Sequence, residues 1–152
     1  MKNVTILFGE MGGGKNYHGE KMAKWFGDVF FDGDTVIPPE MAERVANFKP
    51  LTRDMIDSYI DILIDEIDRR AIKSENGLIV AQALYFNQDR KEIKFCLEQL
   101  GYRVIMCWVR PSFWRNFKQI QSRPNGWRWV LYWLMSKPFF QKPTHEYQLV
   151  AH

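Results

Sequence analysis

The apolar run Val4-Thr-Ile-Leu-Phe8 passes directly into Gly9-Glu-Met-Gly-Gly-Gly-Lys15, and the residues from Asn16 to Phe26 then read as a helix. A glycine-rich turn between a strand and a helix is what a phosphate-gripping loop requires. Gly9, Gly12, Gly13 and Gly14 permit backbone conformations that a Cβ forbids, so successive N–H groups can point inward at an anion. Lys15 adds a point charge beside the β- and γ-phosphates, and the following helix turns its N-terminus and dipole toward the same anion. The feature demands an α/β fold with this loop at the carboxyl end of a buried strand.

The loop matches the P-loop pattern up to its lysine and then departs from it. A Ser or Thr hydroxyl normally follows and binds Mg²⁺, whereas this chain has Asn16. An amide oxygen can ligate that hard cation, but the amide NH₂ repels it, so the motif speaks more firmly for phosphate binding than for metal-assisted turnover. The nucleotide-binding set read from the sequence is Gly9, Gly12, Gly13, Gly14, Lys15, Asn16 and Tyr17, with Asn16 facing the metal.

With 152 residues, 46% hydrophobic and 26% charged, the chain fits one α/β domain spanning 1–152. A net charge of +3 suits an anionic ligand such as ATP and falls short of a nucleic-acid binder. Cys96 and Cys107 fall on a predicted helix and a predicted strand without metal-ligand spacing, which predicts two buried thiols in a reducing compartment. The N-terminus lacks the pattern of a secretory signal, and the apolar window Trp127–Met135 is too short to span a membrane. The expected location is therefore cytoplasmic.

Strands are expected at Val4–Phe8, Asp28–Phe31, Gly77–Ala81, Arg103–Val109 and Glu146–Ala151. Helices are expected at Asn16–Phe26, from Pro38 to Ala46, over Thr52–Lys73, Asp89–Leu100, Ser112–Gln121 and Trp127–Ser136. This alternation argues for a three-layer α/β/α fold on a parallel sheet of roughly five strands. A competing parse makes Ile60-Asp-Ile-Leu-Ile-Asp65-Glu66 a strand ending in metal-binding and water-activating carboxylates. The apolar spacing Met55, Ile56, Tyr59, Ile60, Leu63, Ile64, Ile67 favours the helix.

Asp32-Gly33-Asp34 closes the second strand, where a doubly wound sheet brings side chains near a γ-phosphate. One carboxylate can orient Mg²⁺ or take a proton while the other holds the acceptor, and an Asx-type turn is the plain alternative.

Gly9–Lys15, Phe31-Asp-Gly-Asp34, the Pro38 helix start, Lys49-Pro-Leu51 and Leu78-Ile-Val with Ala83-Leu84 together resemble the small P-loop kinases, most closely gluconate kinases and their shikimate kinase relatives. The pattern runs without a gap from Phe30 to Leu84. The resemblance implies a five-stranded parallel sheet, a mobile lid over ATP, and Mg²⁺-dependent transfer of the γ-phosphate to a hydroxyl. It places Lys15 on the phosphates, Asp32 near metal or proton and Asp34 on the acceptor. Departures fall on the acceptor side: Ile37 stands where gluconate kinases have histidine, their acidic run is reduced to Thr52-Arg-Asp-Met55, and their basic stretch becomes Tyr85-Phe-Asn-Gln88. Arg44 replaces a lysine, while Arg53 and Arg90 read as solvated surface charges that could instead grip an anionic acceptor.

In such kinases lid arginines neutralise the moving phosphate. Among Arg110, Arg115, Arg123 and Arg128 the first choice is Arg123, between two predicted helices, and the second is Arg115, in a lid at roughly 112–140. The aromatic residues Trp127, Trp129, Tyr132, Trp133, Phe139 and Phe140 read first as core, next as a homodimer or partner surface, and then, with Arg128, Lys137 and Lys142, as a membrane-surface helix. The reading is an ATP- and Mg²⁺-dependent kinase acting on a sugar acid or similar small hydroxylated metabolite. Its alternatives are a nucleotide-binding pseudokinase that regulates or scaffolds, and a nucleoside or nucleotide kinase.

Overall fold

A computed structural model describes residues 1–143 and 148–151. Five parallel strands form one sheet in the order β2-β3-β1-β4-β5, with β1 Asn3–Phe8, β2 Val29–Asp32, β3 Leu78–Gln82, β4 Arg103–Arg110 and β5 Gln148–Ala151. Val4 pairs with Leu78 on one side and Val104 on the other, so β1 lies in the middle and the loop after it leaves at the sheet's centre. Of the last predicted strand, Glu146 and Tyr147 lie outside the described residues.

Side chains alternate across the sheet and divide the core. Val4, Ile6, Phe8, Leu78 and Val80 pack beneath α3 (Arg53–Lys73) and α4 (Asn87–Gln99). Leu7, Ile79, Cys107 and Val109 face α1 (Lys15–Phe26) through Ala23. Thr52 caps α3 by accepting from Met55 N at 3.2 Å, and Tyr59, Ile60, Leu63, Ile64 and Ile67 are its buried stripe. The helix settles the competing parse: Glu66 pairs with Arg69 and Arg70 on the helix surface and is no strand-end metal ligand.

The remaining helices are α2 (Pro39–Ala46), α5 (Phe113–Gln121) and α6 (Gly126–Ser136). Ser112 caps α5, and Ile120, Val130 and Trp133 form a third small core between α5 and α6. Gly126 permits that approach, because a Cβ there would lie 1.8 Å from Gln121 O. Both cysteines are free thiols. Cys107 is buried as expected, while Cys96 is only half-buried because its position on α4 lies toward the edge of the helix's core face. No described helix is long and apolar enough to cross a membrane.

Candidate functional site

The loop after β1 closes onto α1 with Gly14 as the N-cap at φ 80°, a left-handed conformation that glycine adopts without penalty. Gly12, at φ 73°, is required twice over: a Cβ there would lie 2.3 Å from the Ile120 side chain and 2.8 Å from the Asn116 side-chain amide. A Cβ at Gly9 would meet Val109 O at 2.5 Å and one at Gly13 would meet Glu10 O at 3.2 Å. Asn116 is buried. With its amide turned to suit its neighbours, it donates to Met11 O at 3.0 Å and Gly12 O at 2.7 Å and accepts from Trp133 Nε1 at 3.3 Å. The loop is therefore built against α5 as well as for an anion. No local motif in the sequence announced that contact.

Lys15 opens α1 and donates to Glu10 O at 2.7 Å across the loop. Burial pulls its ammonium down to about 8. The carboxylates of Asp34, Asp32 and Glu10 oppose that shift, and the Arg123 guanidinium adds to it. Asp34 moves the other way: burial and the neighbouring Asp32 raise it, while Lys15, Gln82 and Arg123 hold it down. Lys15, Asp34 and Arg123 thus share one electrostatic environment, and all three line a cavity of about 870 Å³.

Asp32 caps the 3-10 turn Gly33–Val36 by accepting from Asp34 N at 2.9 Å, so the Asx-type turn expected as the plain alternative is real. The same carboxylate accepts from Asn16 Nδ2 at 2.8 Å, and Tyr59 OH donates to Gly33 O at 2.8 Å beneath it. One side chain therefore both shapes the turn and contacts the residue after Lys15. Tyr59 was recognised as core, yet its hydroxyl also pins the acidic turn.

The other expected residues are placed unevenly. Tyr17 is exposed, packs edge-on to His18 and lies outside the cavity lining. Arg115 is exposed on α5 and also outside it, whereas Arg123, just after that helix, lines the cavity. The aromatic tail divides: Trp133 is fully buried, Trp129 and Tyr132 line the cavity, and Trp127 is 67% exposed.

Arg90 is a correction. Read as a surface charge, it is completely buried, donating to Leu84 O at 2.6 Å and to Asn87 and Gln141, with its guanidinium 4.7 Å from the Phe8 ring centre. The first turn of α4 carries it beneath the chain leaving β3, where three oxygens accept from its two terminal nitrogens. Arg53 is tied to Asp57 and to the buried Asp89, and Arg44 donates to Pro50 O at 2.8 Å.

No protein-family model matches the chain, and no curated protein matches it in sequence. Solved structures match it in shape. A gluconokinase from Sinorhizobium meliloti 1021 aligns at 20% identity and a TM-score of 0.74, over 98% of this chain and 81% of that one. A sugar kinase from Janibacter sp. HTCC2649 aligns at 16% and 0.75, over 100% and 85%. A shikimate kinase from Acinetobacter baumannii, in complex with shikimate, aligns at 15% and 0.56, over 99% and 83%. At these identities the likeness establishes the fold: the chain has the α/β architecture of small P-loop kinases.

Proposed function

We propose that this protein is a small-molecule kinase that transfers the γ-phosphate of ATP to an alcohol. The observation that carries the reading is the meeting of Lys15, Asp34 and Arg123 in one cavity at the carboxyl ends of the strands, where a doubly wound sheet binds its ligands. The shape match to three small-metabolite kinases supports it.

In this reading the amides from Gly12 to Gly14 and the Lys15 ammonium hold the β- and γ-phosphates, and Arg123 meets charge on the transferred group. The acceptor oxygen bonds to the γ-phosphorus as the bond to the β–γ bridging oxygen breaks, and ADP leaves with that oxygen. Asp34 takes the hydroxyl proton, and its raised affinity for protons suits that task. The α5–α6 hairpin, within 112–140, serves as the lid.

The residues present also fit Mg²⁺. Asn16 spends its N–H end on Asp32, which leaves its amide oxygen for a cation, and Asp32 supplies a carboxylate beside it. Such a cation usually takes only one or two protein oxygens and completes its shell with phosphates and water. Bound there, it would neutralise charge on the phosphates.

Mg²⁺-dependent ADP release from ATP, with Lys15→Ala beside the native protein, tests the reading. Acceptor-stimulated release that the variant lacks is expected; ATP binding without release for any acceptor would overturn it. That second result would favour the pseudokinase, for which Asn16 is the specific observation. Asn16→Thr would then raise turnover while leaving nucleotide affinity within a few-fold.

A further inference from the structure

Helix α2 ends at Asn47, and Lys49 N closes it by donating to Arg44 O at 2.8 Å, which throws Phe48 into the left-handed region at φ 53°. Glycine normally takes that place, because a Cβ crowds the backbone there. Here the position carries a large ring instead. The Phe48 ring stacks on Tyr132 of α6 with centres 5.9 Å apart and planes 28° apart, and Arg128 lies 5.0 Å from it while donating to Ala46 O. Trp129 meets Tyr132 edge-on at 6.0 Å, and all three rings line the cavity.

Charge in this half of the cavity is wrong for a sugar acid. Among the described residues, Lys49 is the lining cation on the acceptor side, set against the carboxylate of Asp34. The arginines that could have anchored an anion are engaged elsewhere: Arg53 by Asp57 and Asp89, Arg44 by Pro50 O, and Arg90 by backbone and side-chain oxygens. Ile37, Met41, Ile56 and Leu84 offer nothing to a row of hydroxyls. Gln82 is 5% exposed and hydrogen-bonds the Asp34 carboxyl at the cavity wall.

Resting on the phosphotransfer reading above, we propose that the acceptor is an alcohol carrying a flat aromatic ring, the chemistry shared by a nucleoside and a heteroaromatic alcohol. Its ring lies against Phe48, Trp129 and Tyr132, and its reacting hydroxyl reaches Asp34. Burying a ring against aromatic faces is favourable, whereas an unpaired carboxylate would be costly there.

The test titrates thymidine, adenosine, pyridoxine, gluconate and shikimate into the full chain saturated with a non-hydrolysable ATP analogue. Ligand-observed NMR reads binding, and ADP release is then measured with ATP. A planar alcohol is expected to bind at concentrations where gluconate and shikimate do not. Thymidine or adenosine alone would name a nucleoside as the source, and pyridoxine alone a heteroaromatic alcohol. Phe48→Asn, whose side chain tolerates the left-handed backbone, and Tyr132→Leu should each weaken that binding at least tenfold, with the analogue's affinity within twofold and the Tm within a few degrees. Tightest binding by gluconate or shikimate, no binding by any planar alcohol, or planar binding unmoved by both variants would overturn the proposal. Planar binding without ADP release sustains the planar-ligand class and removes the phosphotransfer reading; release stimulated by gluconate alone does the reverse.

Discussion

Lys15 is protonated at neutral pH against the pull of its own burial, which lowers it to about 8. A bound polyphosphate places negative charge beside it and raises its proton affinity, so nucleotide binding and proton binding are linked. The sign follows. Below pH 8 the lysine already carries its proton in the free protein and affinity is flat; above pH 8 binding must draw a proton from solvent, and affinity falls. ADP titrations in EDTA should show about tenfold weaker binding at pH 9 than at pH 7. Lys15→Met should bind weakly at both and lose the slope; an equal slope in that variant would assign the proton to another group. Gly12 makes a separate demand at this scale. Gly12→Ala drives a methyl into Ile120 and Asn116 and forces a left-handed φ on alanine, a combined cost of about 2–3 kcal/mol in urea unfolding.

Elements whose signals are local were legible in the sequence, and those fixed by distant partners were not. Apolar residues every three or four positions marked α3, and the strand, glycines and lysine marked the first β/α unit, because each depends on neighbours a few residues away. Asp32 and Asp34 were readable for the same reason. Nothing near Arg90 or Asn116 in the chain tells that one would be buried beneath the chain leaving β3 and the other would hold the loop after β1. Phe48 lies between these cases. The breaker Asn47-Phe-Lys-Pro50 was visible, but the destination of its ring depends on α6, 84 positions on at Tyr132. The energetics of that cap are testable. Phe48→Gly removes roughly 1–2 kcal/mol of left-handed strain and forfeits roughly 0.5–1.5 kcal/mol of ring contact, so the terms nearly cancel. Urea unfolding should find the variant within about 1 kcal/mol of native, far from the 3–5 kcal/mol typical of a deleted core phenylalanine. A loss of that larger size would mean that the ring serves as ordinary core.

Across the whole molecule, the α5–α6 hairpin is fastened to the sheet at both ends by different chemistry. At its start, Asn116 and Ile120 of α5 pack on the loop after β1. Past its end, Gln141 N donates to Tyr85 O at 2.8 Å, Gln141 Oε1 accepts from Asn87 N at 2.8 Å, and Lys137 pairs with Glu10 at 3.0 Å. Arg90 joins these pieces, since one guanidinium reaches Leu84 O after β3, Asn87 at the start of α4 and Gln141 after α6, between the rings of Phe8 and Phe140. Removing it strands one buried and two part-buried acceptors at once, which outweighs the desolvation relieved by losing the charge. Arg90→Met should therefore destabilise the fold by about 3 kcal/mol, with Arg90→Lys restoring little because an ammonium cannot reproduce the planar fork. Arg115→Ala, on an exposed face, should stay within about 0.5 kcal/mol and serves as the control. Hydrogen exchange separates a fastening role from simple core loss. In Arg90→Met, the amides of Lys137–Gln141 should open faster than those of β1 and β3; acceleration spread evenly over strands and hairpin would make Arg90 a core residue and not the fastening of the hairpin.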